Sequence, residues 1–150
     1  MPSLPSALSP ALPFTLDSDN YGQLLINLQS QRWVVACLCA AWCNTCGDFQ
    51  APFMQLATRF PEVQFVWIDI EDQANVVGDL DVENFPTLLI QQNELVNFFG
   101  TVLPDAKLTE RLLQSLMTQS PEALTAQTTS SSERRQWQQD CNLRRLLEQA

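Results

Sequence analysis

From Trp33 to Cys39 the chain reads Trp-Val-Val-Ala-Cys-Leu-Cys with no polar break. That is the length and character of a strand covered on both faces, as central strands of parallel sheets are. Ahead of it, Leu24, Leu25 and Leu28 recur at helical spacing behind the N-cap candidates Asp17, Ser18 and Asp19, which predicts a first helix within 17–31. Beyond it, Phe49, Phe53, Leu56 and Phe60 follow an i, i+4, i+7, i+11 course, so a helix is expected to Arg59, kinked at Pro52. Val63 to Ile70 reads as a second strand, and Asp72 to Leu80 as a short helix ending near Gly78. A βαβα order implies parallel strands with right-handed crossovers. Pro86 to Gln91 and Leu95 to Phe99, separated by Gln92-Asn93-Glu94, read as an antiparallel hairpin closing the sheet. Pro104 to Met117, with Leu108, Leu112, Leu113 and Leu116, is a final amphipathic helix. The fold class is therefore α/β, a mixed central sheet flanked by helices.

Four segments follow from these patterns. Residues 1–13 form a Pro/Ser-rich leader, 14–118 the folded domain, 119–132 a Ser/Thr/Gln/Ala linker without apolar periodicity, and 133–150 an additional C-terminal helix. Trp137, Cys141 and Leu147 lie near one face of that last helix. It is expected either to dock back on the domain or to serve self-association or a partner protein, with docking the preferred reading.

Length and charge narrow the classes. A chain of 150 residues can bury roughly two-thirds of its unfolded surface in one domain. No apolar run approaches the ~18–20 residues that span a bilayer, so no membrane role is expected. Met1 to Pro13 has no Lys or Arg and is broken by four prolines, unlike a signal peptide, and the expected compartment is cytoplasmic. A net charge of -9 repels nucleic acid and anionic lipid. The absence of His removes the commonest general base and metal ligand.

Chemistry concentrates in the cysteines. Of the five in the chain, Cys37, Cys39, Cys43 and Cys46 fall within ten residues, too close to staple distant parts of a fold. Cys43-Asn-Thr-Cys46 lies at a strand-to-helix junction. There the unpaired N–H groups and the positive dipole end favour a thiolate at the exposed first position. Cys43 is expected to attack and Cys46, one turn in and more buried, to resolve the mixed disulfide. Cys37 and Cys39 alternate onto one strand face and read as small core residues. A four-thiolate metal or cluster site is disfavoured, because a central strand is too stiff to wrap all four sulfurs around one ion; no metal and no cofactor are expected. Asp69, Glu71 and Asp72 read as a solvated strand end and helix start.

Ala41-Trp42-Cys43-Asn44-Thr45-Cys46, Trp67-Ile68-Asp69-Ile70, Asn84-Phe85-Pro86-Thr87-Leu88-Leu89 and Phe99-Gly100 together resemble the thioredoxin family over Phe14 to Met117. The resemblance implies a thioredoxin fold and a thiol–disulfide oxidoreductase acting on protein disulfides, with electrons from a separate reductase. It also implies that Trp42 flanks the nucleophile, that Pro86 is a cis-proline beside it, that Phe85 offers backbone to an extended substrate, and that Gly100 keeps the substrate groove open. Departures are specific. Asn44-Thr45 replaces the family's Gly-Pro, Gly47-Asp48 replaces its following basic residue, and the helix proline falls one position late. Cys37 stands where thioredoxins bury a proton-relaying Asp, with Phe65 at the partner Lys position. Slow turnover is expected in consequence. The rival reading is a non-catalytic interaction or chaperone module.

Overall fold

The protein is described by a computed structural model over residues 9–150. Most of the leader expected at 1–13 lies outside the described residues. Its last part is held in place: Arg32 Nη2 donates to the Ser9 carbonyl at 2.7 Å and Nη1 to the Glu62 carbonyl at 3.0 Å.

The unbroken apolar run forms the strand at the centre of a five-stranded sheet. The strands are β1 (Phe14–Thr15), β2 (Trp33–Cys39), β3 (Gln64–Asp69), β4 (Thr87–Gln92) and β5 (Leu95–Thr101), ordered β1-β3-β2-β4-β5. β3 runs parallel to β1 and β2, whereas β4 runs antiparallel to β2 and β5. The helices are α1 (Tyr21–Gln29), α2 (Asn44–Gln55, extended by a 3-10 turn at Leu56–Thr58), α3 (Ala74–Val77), α4 (Ala106–Met117), α5 (Pro121–Gln127), α6 (Ser132–Asp140) and α7 (Leu143–Gln149).

Alternate residues of β2 serve two separate cores. Val34, Ala36 and Leu38 face a cluster with Leu24 and Leu28 of α1, Val77 of α3, Trp137 of α6 and Leu143 of α7. Val35, Cys37 and Cys39 face the other, with Cys46, Phe49 and Phe53 of α2, Leu113 of α4 and Leu124 of α5. The second is rich in aromatic rings: Phe53 meets Phe49, Phe65 and Trp67 at centroid distances of 5.7, 5.6 and 5.9 Å. Both faces of β2 are thus sealed, as its sequence requires.

Several boundaries differ from the sequence reading, and α3, expected over 72–80, is confined to Ala74–Val77. β1 is too short to carry a period. α1 begins at Tyr21, because Asp17 to Asn20 fold into a polar turn in which Asn20 Oδ1 accepts the Asp17 N–H at 2.9 Å. The stretch 119–132, expected to be a linker, contains α5. Ser120 caps it by accepting the Ala123 N–H at 3.1 Å and Pro121 occupies its first turn, a start signal independent of apolar period. The single helix expected over 133–150 is two, since Asn142 restarts the chain as the cap of α7.

The tail docks, and polar side chains set its register. Gln138 Oε1 accepts the Val96 N–H at 2.9 Å while Nε2 donates to the Val96 carbonyl at 2.7 Å, which occupies the exposed edge of β5. Buried Gln91 donates to Asn142 Oδ1 at 2.7 Å and accepts the Leu143 N–H at 2.8 Å. Trp137, Cys141, Leu143 and Leu147 complete the first core.

Candidate functional site

The loop Ala40-Ala41-Trp42 carries the chain from the C-terminal end of β2 directly into α2. Cys43 is the N-cap of that helix, with extended backbone at φ -89 and ψ 115. Its N–H donates to the Ala40 carbonyl at 3.0 Å and its carbonyl accepts the Gly47 N–H at 3.2 Å, closing the first helical turn. The Cys43 side chain is free and half-buried. Cys46, one turn on, points inward and is 2% exposed.

Cys46 is bonded to Cys39, not to Cys43, with a Cα–Cα separation of 5.9 Å. Cys39 is buried, as expected of a small core residue, and is in addition the disulfide partner of Cys46, which that expectation did not include. The cause is tertiary. Cys39, 1% exposed, ends β2 on the face that α2 covers, and the short loop lays the inward side of the first helical turn over it. Cys37, on the same face, brings its sulfur 3.9 Å from that of Cys39, and burial pushes its thiol well above the ordinary range. Among the described residues no group of three or more His, Cys, Asp or Glu converges as a metal site.

Trp42 stands 66% exposed beside the half-buried Cys43. Its ring meets the edge of Phe85 at 5.4 Å and 79°. The Phe85–Pro86 peptide bond is cis, as the resemblance implied, and the Pro86 carbonyl accepts the Val102 N–H at 3.0 Å. Trp42 and Phe85 therefore form one surface beside the start of α2, with Pro86, next in the chain, buried behind Phe85. Gly100 pairs with Leu88 across the hairpin, beside the Thr87–Thr101 pair that follows Pro86, and lines a cleft of about 420 Å³ with Asp79, Asp81, Asn84, Thr87, Glu133 and Asp140; Cys43 is not among the residues lining it.

The polar environment matches the departures seen in the sequence. No Asp or Glu is buried among the described residues, and Cys37 and Phe65 occupy sealed positions in the aromatic core. Asp69 closes a local turn by accepting the Glu71 and Asp72 N–H groups at 2.9 and 3.0 Å, consistent with a solvated strand end. Sequence reasoning missed Cys39. The available signal was its shared face with Cys37 and the need for α2 to fold back over that face.

A strand–loop–helix cysteine site on this mixed sheet, faced by a cis-proline, defines a thioredoxin fold. The chain belongs to the thioredoxin family, whose model, described as Thioredoxin, matches residues 13–114. Members of that family are disulfide oxidoreductases. Similar to it is a thioredoxin-like protein, CXXS1, of Oryza sativa subsp. japonica, 32% identical over 93 residues that span 60% of this chain and 70% of that one. An H-type thioredoxin of Picea mariana is 31% identical over 62 residues, 41% of this chain and half of its own length. A solved complex of ferredoxin:thioredoxin reductase and thioredoxin f2 contains a chain of the same fold, with TM-score 0.62 and 14% identity over 73% of this chain and 99% of the other. No helix among the described residues is long and apolar enough to cross a membrane.

Proposed function

We propose that the protein exchanges disulfides with protein substrates in the cytoplasm through Cys43 and Cys46. The supporting observation is the position of Cys43: free, half-buried, at the N-cap of α2 and on the same end of the sheet as Trp42, Phe85 and Pro86. In the reducing direction, the Cys43 thiolate attacks a substrate disulfide, one S–S bond breaks as the mixed disulfide forms, and a substrate thiolate leaves. The Cys46 thiolate then attacks the Cys43 sulfur and releases the second substrate thiolate, so the two electrons of Cys43 and Cys46 pass to the substrate. Cys46 must first be freed from Cys39 by a dithiol reductant, the role of a separate reductase protein. No prosthetic group is required. Trp42 and Phe85-Pro86 supply an aromatic surface and outward backbone for an extended substrate segment.

A second reading is favoured by the engagement of Cys46 with Cys39: a non-catalytic interaction module in which Cys43 has no resolving partner. Insulin-disulfide reduction with dithiothreitol separates the two. Catalysis lost in Cys43→Ser supports exchange. A rate equal to the buffer blank supports the module.

A further inference from the structure

We propose, resting on the exchange chemistry above, that Cys39 is a third redox cysteine of the site, to which the active-site disulfide migrates from Cys43 after each oxidation. The step is an isomerisation. The Cys39 sulfur attacks Cys46, the Cys43–Cys46 bond breaks, the Cys39–Cys46 bond forms, and the proton lost by Cys39 passes to Cys43. No electron is gained or lost, so no outside oxidant is needed.

Three placements carry this. Cys46 is shared by both bonds: it is one helical turn from Cys43, the i, i+3 relation that makes side chains neighbours on a helix, and it is bonded to Cys39. Cys39 and Cys46 are both sealed in the core at 1% and 2% exposure, whereas Cys43 is the sulfur left toward solvent as a thiol. Cys37, close as its sulfur is to Cys39, stays a free thiol, and it is Cys39, at the end of β2 under the first turn of α2, that meets Cys46. The oxidised domain thus buries its disulfide and keeps a nucleophile at its surface, and an external dithiol reaches the pair when the step reverses and the bond returns to Cys43. The Cys43 thiol can still capture a substrate disulfide, and the engaged Cys46 leaves the mixed disulfide standing.

The test uses the full chain, reduced and then oxidised with one equivalent of diamide, quenched in acid at successive times, alkylated, digested and mapped by mass spectrometry. A Cys43–Cys46 bond that appears first and gives way to Cys39–Cys46, with Cys43 becoming alkylatable, is expected. In Cys39→Ala the map should stop at Cys43–Cys46, and alkylation of Cys43 in the oxidised form should be lost. A stable Cys43–Cys46 bond in the wild-type chain would overturn migration while insulin reduction by the same preparation keeps the exchange reading. A Cys39–Cys46 bond present from the first time point, with no Cys43–Cys46 bond in Cys39→Ala and insulin reduction at the blank rate, would overturn both.

Discussion

Cys39 and Cys46 are joined across the meeting of β2 and α2, and their bond leaves Cys43 as the one sulfur of the site that solvent reaches. The pairing places the oxidised sulfurs inside an aromatic core and the free thiol beside Trp42. Native alkylation with iodoacetamide at neutral pH should therefore modify Cys43 alone among the three free cysteines, with Cys37 and Cys141 labelled only after unfolding. Peptide mapping of the labelled protein reads this directly.

The Trp42–Phe85 contact is exposed, so it should serve binding more than stability. An edge-to-face pair is worth about 0.5–1.5 kcal/mol, and the exposure of Trp42 puts this one at the low end. Phe85→Ala is expected to lower the unfolding free energy by less than ~1 kcal/mol while raising KM for insulin several-fold. Urea unfolding and steady-state kinetics on one preparation distinguish the effects; a large stability loss with unchanged KM would contradict the surface assigned here.

The tail is part of the core. Leu143 is fully buried, and Leu143→Ala should cost about 2–5 kcal/mol by the lost burial and the cavity left behind. Gln91→Ala strands the Leu143 N–H, which donates to Gln91 Oε1, at a cost of about 1–3 kcal/mol for a buried group left unpaired, while Asn142 keeps Glu94 and the Arg145 N–H as partners. Denaturant midpoints of both variants, alongside a chain ending at 119, provide the check. Midpoints equal to wild type would show that the helices after Met117 are an appendage.

Cys141 gives stability a signature in alkali. Burial, reinforced by Asp140 and Asp81, pushes its thiol from an ordinary 9.0 up to about 12. The folded state therefore holds this proton more tightly than the unfolded chain. Its contribution is fully present below pH 9.0 and is lost as pH rises from there toward about 12. Cys141→Ala should flatten that part of the stability profile, measured by urea unfolding across the alkaline range.

Phe53 tests the site's foundation. Its ring bridges α2 to Phe65 and Trp67 of β3, so Phe53→Ala is expected to cost about 3–5 kcal/mol and to alter the fluorescence of Trp67. Thermal unfolding followed by tryptophan emission reports both.

What the sequence determined by itself was local and periodic. The apolar run Trp33 to Cys39, the 3.6-residue spacing of α2 and α4 and the two hydrophobic halves of the hairpin fixed the elements, because each buries a face whose period the chain must carry. Cys43-Asn-Thr-Cys46 and Phe85-Pro86 marked the site for the same reason, as short motifs at element ends. Tertiary structure alone decided the rest. Which sulfur Cys46 meets depends on how α2 lies over β2, and the closing of the tail depends on Gln91, Gln138 and Asn142, polar residues whose partners are far along the chain. Neither relation has a period or a neighbour in sequence to announce it; both exist only once separate elements share a face.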